Sequence, residues 1–201
     1  MRSMLRIGSL AIVLAATAVQ AQTDLPPGTW PIAKAPAQWR PAIARADLVV
    51  VSLHDALRRE LTHALAQGGP AFAIKACHID VAGLTRRMDG HGGIAAGRTS
   101  DRLRNGANAP PAWAAPLVAG SGVRRLAGDT EGFVVDLDRS LGVLRPILHQ
   151  RMCDSCHGPA DRIDPAVQTM LAVRYPDDRA TGFIEGQLRG WFWVEVPKQA
   201  E

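Results

Sequence analysis

Between residues 42 and 67 apolar side chains recur at three- and four-residue steps, at Val50, Leu53, Leu57, Leu61 and Leu65. Arg58, Arg59 and Glu60 fall largely off that stripe, so the spacing predicts an amphipathic helix. Gly68-Gly69-Pro70 predicts its end. A second helical stretch, residues 71–88, places Ile74, Cys77, Val81 and Leu84 on or near one face. After a glycine-rich loop at 89–93, residues 94–104 read as partly extended and 105–111 as turn. A short helix or coil is expected around Trp113 and Leu117. Residues 132–149 read as strands, Phe133-Val134-Val135 and then 141–148, joined through Asp136 to Ser140. A polar loop is expected beyond residue 157. The aromatic and β-branched run from Gly190 to Val196 predicts a terminal strand.

Helices first and strands later, without βαβ alternation, imply an α+β fold with an antiparallel sheet. No internal repeat is visible. Pro26, Pro27, Pro31, Pro36 and Pro41 predict that residues 22–41 hold no regular structure and form a linker or a wrapped arm. Upstream, Arg2 and Arg6 precede an apolar run at 7–18 and the small-residue site Val19-Gln20-Ala21. That order is a secretory signal peptide over residues 1–21. Its apolar run is shorter than the roughly 20 residues of a membrane span. The expected mature chain is soluble and periplasmic, with one domain over residues 42–197 and a tail at 198–201. A chain of that size buries about 70% of the surface its unfolded form exposes. Loss of Arg2 and Arg6 lowers the net charge from +4 to +2. With no dense basic tract, this is not a nucleic-acid footprint.

The chemistry concentrates in Cys153-Asp154-Ser155-Cys156-His157, a C-x-x-C-H. Two thiols three positions apart can each add to one vinyl group of a porphyrin, and the following histidine can then offer an imidazole nitrogen to the iron. A thioredoxin-like dithiol would need a βαβ context that is missing here. A zinc site would need a second chelating pair, and Cys77-His78, being adjacent, make a poor one. One covalent haem c is therefore expected, held by Cys153 and Cys156 with His157 as proximal iron ligand. Export suits this chemistry. It also leaves Cys77 as an odd third thiol in an oxidising compartment. On the residues alone, Cys77, His78, Met88, His91, His149 and Met152 all compete for the sixth position. His54 and His63, on the first helix, remain unassigned. Arg98, Arg102 and Arg104 form a basic run that is either a solvated face or a hold on the haem carboxylates. Trp113 belongs to the core or to the ring edge.

Several spaced runs together resemble one family. They are Arg98-Thr99-Ser100, Arg104-Asn105 with Asn108-Ala109-Pro110 and Trp113, and Pro146-Ile147 ahead of the C-x-x-C-H and Gly158. Tyr175-Pro176-Asp177-Asp178, Ala180-Thr181-Gly182, Gly186 and Arg189-Gly190 complete the set. The pattern, over roughly residues 48–196, is similar to the Tll-type single-haem c domains, formerly a domain of unknown function. Gly106 stands where that family usually has proline, and Ala114 where it usually has an acidic residue. The resemblance implies a PAS-like fold, with His157 as proximal and Cys77 as distal iron ligand. It also implies Arg98 and Arg104 as the carboxylate-binding pair. A His/Cys-ligated iron should have a low potential, because a thiolate favours the ferric state. The expected function is a redox- or ligand-responsive haem sensor signalling through a separate partner. The alternative is a single-electron carrier, a c-type cytochrome between exported partners. Two strong axial ligands leave no open iron position, so an enzyme is not expected.

Overall fold

The structure is a computed structural model and describes residues 25–76, 93–120 and 131–199. Cys77, His78, Met88, His91 and the export signal lie outside these residues.

Five strands form one antiparallel sheet: β1 (Thr29–Pro31), β2 (Ala95–Thr99), β3 (Phe133–Leu137), β4 (Ser140–Leu148) and β5 (Leu188–Pro197). Their order is β1-β3-β4-β5-β2. The β3–β4 hairpin turns at Asp138-Arg139, where Asp138 takes φ 68°. Short polar residues tolerate that left-handed conformation better than most. Period-two alternation then sorts the side chains. Val134, Val143 and Val194 are register partners on one face, and Phe133, Leu144 and Trp193 on the other. The α+β architecture with an antiparallel sheet is the one the sequence implied.

The long helix α1 (Arg40–Ala76) covers the first face. Ala42, Ile43, Ala46 and Val49 pack there against Val134, Leu141, Val143, Val194 and Val196. Arg145 on β4 fixes the contact by a fork to Asp47, with both nitrogen–oxygen distances 2.7 Å. Such a bidentate pair adds geometric specificity as well as energy. Helical backbone fails at Gly68 and Gly69, the latter at φ 69°. Glycine adopts that conformation without steric cost, and Pro70 then restarts the helix, whose N–H-free first position suits proline. The break falls where the sequence placed it.

On the second face Leu117 and Val118 of α2 (Ala115–Ala119) pack with Phe133, Val135, Leu144 and Trp191. Trp113 lies flat over Gly142, and its Nε1–H donates to Glu195 at 2.7 Å. It is thus a core residue. Ala114 is fully buried, and Trp113 has its acceptor without an acidic neighbour in sequence. The turn at Gly106 also holds without proline, because the Asn105 side chain accepts from the Ala107 N–H.

Two expectations are corrected. The proline-rich arm does carry regular structure: β1 pairs with β3, and two 3-10 turns follow at Ile32–Lys34 and Ala37–Trp39. Proline is tolerated because β1 is an edge strand. Trp30 and Trp39, edge to face at 4.9 Å, pin the arm to the core. The expected polar loop after residue 157 contains a helix, α4 (Pro165–Arg174). Asp164 caps it by accepting from the Ala166 N–H, and Pro165 fills its first position. Val167 and Leu171 turn inward to meet Ile74 of α1.

A Cβ at Gly142 would lie 2.8 Å from the Trp113 ring. Gly142→Val should therefore cost about 1–3 kcal/mol of stability by overpacking, measured by urea denaturation. An unchanged midpoint would mean that Trp113 is not held against the strand.

Candidate haem site

The C-x-x-C-H segment is built between the end of β4 and a returning loop. After Leu148, buried His149 stacks on Phe183 and bonds through Nε2 to Asp154 at 2.7 Å. His149 is thereby committed to bracing the segment. A 3-10 turn (Arg151–Cys153) runs into the single helical turn α3 (Asp154–His157). Gly158 ends it, and a Cβ there would meet the Asp154 carbonyl at 2.7 Å. The loop then returns alongside. Gly182 N–H donates to Gly158 O at 2.7 Å, and Phe183 N–H to His157 O at 3.0 Å.

His157 sits at the centre of this knot. Its Nδ1 lies 2.7 Å from the Ala180 carbonyl oxygen. Burial pushes its pKa well below the usual 6.5, and the charges of Arg189, Arg104 and Arg98 push the same way. The hydrogen bond to Ala180 opposes them and is outweighed. The imidazole is thus neutral at pH 7. Because a carbonyl only accepts, Nδ1 carries the proton and Nε2 keeps a lone pair. This is the arrangement of metal-ligating histidines, whose second nitrogen is oriented by a hydrogen bond. Arg104 and Arg189 approach Nε2 through Nη1 at 3.5 and 3.4 Å.

Arg104 does more than approach. Its Nε donates to Asp178 at 2.9 Å, and its Nη2 donates to the Cys156 and Ala180 carbonyls. Both members of the Arg104–Asp178 pair are only 10% exposed. Asp178 in turn accepts from the Ala180 N–H at 2.8 Å.

Outside this knot lies a cleft of about 440 Å³. Its α1 wall carries Val50, Leu57, Leu61 and Leu65, and Ile147 and Phe192 of the sheet face them. The helical stripe read from the sequence therefore divides: Leu53 joins Phe192 in the core, while the rest of the stripe lines the cleft. Cys153, Cys156, His157 and Arg98 all border this space. Met152 stands on its rim. Arg104 and Arg102 border a smaller cavity of about 90 Å³ that His157 also lines.

The sequence did not single out His54 or Arg189 as cleft residues. His54 follows Leu53 on α1 and meets Phe192 edge to face. Arg189 depends on a β-bulge. Ile147 pairs with Gly190 but Leu148 with Leu188, which leaves Arg189 as the extra residue. Strict alternation would place it with Trp191 on the second face. The bulge puts Leu188 there and turns Arg189 into the cleft. Its place in the Arg189-Gly190 motif was the available signal.

Among the described residues, no three His, Cys, Asp or Glu side chains converge on one point. Two thiols and one neutral imidazole beside an apolar cleft instead fit a planar ligand that brings its own metal donors, as haem does. The cleft volume lies within the roughly 300–1,000 Å³ of small-molecule sites.

A model of the Tll0287-like family matches residues 17–197. The chain belongs to that family. Among solved structures it resembles the cyanobacterial heme-protein Tll0287, at 22% identity and a TM-score of 0.54. That match covers 78% of this chain and 98% of the other. No curated protein matches. This Tll0287-like chain shares the α+β fold of the solved protein, with its C-x-x-C-H at the edge of the cleft.

In the haem-free chain His157 resists a proton that the unfolded chain accepts near 6.5. The unfolded state therefore binds more protons at lower pH, so stability present above about 6.5 is lost as pH falls. Urea midpoints measured across that range should drop with acidification, and His157→Gln should flatten the drop. A His157→Gln profile parallel to that of the unaltered chain would show that His157 is not held neutral.

Proposed function

We propose that this chain carries one haem c, bonded through the Cys153 and Cys156 thiols, with Nε2 of His157 as proximal iron ligand. One observation carries the reading: both thiols and a neutral, Nδ1-anchored imidazole border the same apolar cleft. The family's cyanobacterial heme-protein relative and the order of residues in the motif support it. Haem, when bound, supplies a one-electron iron couple. The chain's own part is to exclude water with the α1 stripe, to aim His157, and to supply cations where carboxylates must sit.

Cys77 is the proposed distal ligand. Ile74, three residues earlier in sequence, packs in a cluster against which Cys156 also rests. His157 and Cys77 would together hold the iron and leave it no site for a substrate, and we propose no catalytic step. The proposed role is a redox- or ligand-responsive sensor in the periplasm, reached through the signal peptide. Its switch is the Cys77 side chain, held as thiolate in one state and protonated in the other. Among the described residues no helix is long and apolar enough to cross a membrane. The electron-carrier reading has an observation of its own: Val51, Leu148 and Met152 expose apolar surface around the cleft. A redox partner could seat there.

Chain produced with c-haem maturation machinery should gain the mass of one haem, retained on denaturation. The Cys153→Ser/Cys156→Ser variant should release it. Finding the polypeptide mass alone would overturn the attachment.

Cys77→Ala should alter the low-spin ferric resonance spectrum and raise the reduction potential, because an anionic ligand is lost. Under the sensor reading, carbon monoxide should bind the reduced form more readily as pH falls, and Cys77→Ala should remove that dependence. A reduced form that refuses carbon monoxide throughout the neutral range would favour the carrier.

A further inference from the structure

The stripe of α1 that lines the cleft differs by one residue from the stripe seen in the sequence. Leu53 drops into the core beside Phe192, and His54 takes its place in the series Val50, His54, Leu57, Leu61 and Leu65. These positions follow one another at steps of three and four residues, so they share a face of the helix. One imidazole thus stands in an otherwise apolar stripe. Its ring meets that of buried Phe192 at 83°, with centroids 5.9 Å apart. Its polar contact within the chain is Asp55, the next residue, and the 3.8 Å between Nδ1 and the carboxylate oxygen is too long for a hydrogen bond. His149 and His157, by contrast, each hold a partner at 2.7 Å.

A planar ligand laid along this wall takes water away from His54, whose side chain is 41% exposed in the haem-free chain. A polar nitrogen covered without a partner is costly, so the ligand has to supply one. The hydrocarbon of a porphyrin offers nothing to an imidazole, whereas its iron does. The two axial positions of that iron lie on opposite faces of the ring. A second ligand must therefore come from a wall other than the one that carries His157. α1 is such a wall, and among its described lining residues His54 is the one with a nitrogen lone pair to give. Arg58, which also lines it, is always protonated. Met152 directly precedes Cys153 in the 3-10 turn and so belongs to the wall of the motif.

We propose that His54 is a reserve iron ligand, which binds through an imidazole nitrogen in the state in which Cys77 does not hold the iron. The inference rests on the haem reading above and gives the proposed switch a second end. The iron passes from a thiolate to a neutral nitrogen instead of to an empty position. Loss of the anionic ligand favours the reduced state, and the nitrogen keeps the iron six-coordinate.

The test uses full-length chain loaded with haem during expression, with attachment checked by mass before any other measurement. Chain without covalent haem overturns both this inference and the reading it rests on. On loaded chain, electron paramagnetic resonance and the visible spectrum report the spin state and ligand field of the ferric iron. Cys77→Ala should stay low-spin, with the signature of two nitrogen ligands in place of nitrogen and sulfur. Cys77→Ala/His54→Leu should turn high-spin. Cys77→Ala/His54→Gln should do the same, and it covers the case in which leucine disturbs the helix. Imidazole added to either double variant should restore the low-spin signal, which a merely collapsed site would not do. A double variant that remains low-spin, or a Cys77→Ala chain that is already high-spin, would overturn the inference while leaving haem attachment intact. A Cys77→Ala spectrum identical to that of the unaltered chain would overturn the thiolate reading and this inference with it.

Discussion

The hydrogen bond from His157 Nδ1 to the Ala180 carbonyl is the constraint on which the site depends. It selects the tautomer and leaves the lone pair on Nε2, which Arg104 and Arg189 approach in this structure. The bond would mean little if Ala180 were on a free loop. Ala180 is instead held from both sides, its N–H by Asp178 and its carbonyl by Arg104, and the following residues pair with the motif's own backbone. Removing one partner of a buried ion pair such as Arg104–Asp178 typically costs about 3–5 kcal/mol, since the other charge is left uncompensated. The knot is thus rigid for the same reason that it is expensive to break.

Positive charge is the second theme. Three arginines surround a neutral imidazole, and one of them, Arg104, is paired with Asp178. Their charges lower the basicity of His157. Burial and charge act in the same direction, so the imidazole stays neutral at pH 7. The apolar stripe of α1 completes the environment by keeping water from one wall.

The sequence made the sheet legible because β3 and β5 are rich in aromatic and β-branched residues, and a short polar stretch, Asp136 to Ser140, joins β3 to β4. It made the motif legible because C-x-x-C-H allows few chemistries. The division of the α1 stripe was not legible: Leu53 and Leu57 are equally apolar, and only the sheet beneath decides which is covered. Arg189 was hidden by a bulge, since period-two reading places it on the wrong face. The helix α4 was hidden by its polar surroundings, although Asp164-Pro165 is a usable start signal. Arg104 could not be separated from Arg98 by sequence, because its commitments are to backbone carbonyls 52 and 76 residues away.

The proline-rich arm has a consequence for the chain's solubility. Without β1, the edge of the sheet would be β3, whose Phe133, Val134 and Val135 form an apolar run with open backbone groups. Such an edge is a template for pairing with another chain. A three-residue strand that closes on Pro31 uses those groups and offers few of its own, because proline has no N–H to donate. The arm therefore acts as a cap against strand-to-strand aggregation. Its prolines, which mark the segment as irregular in sequence, are the reason the cap does not itself propagate the sheet.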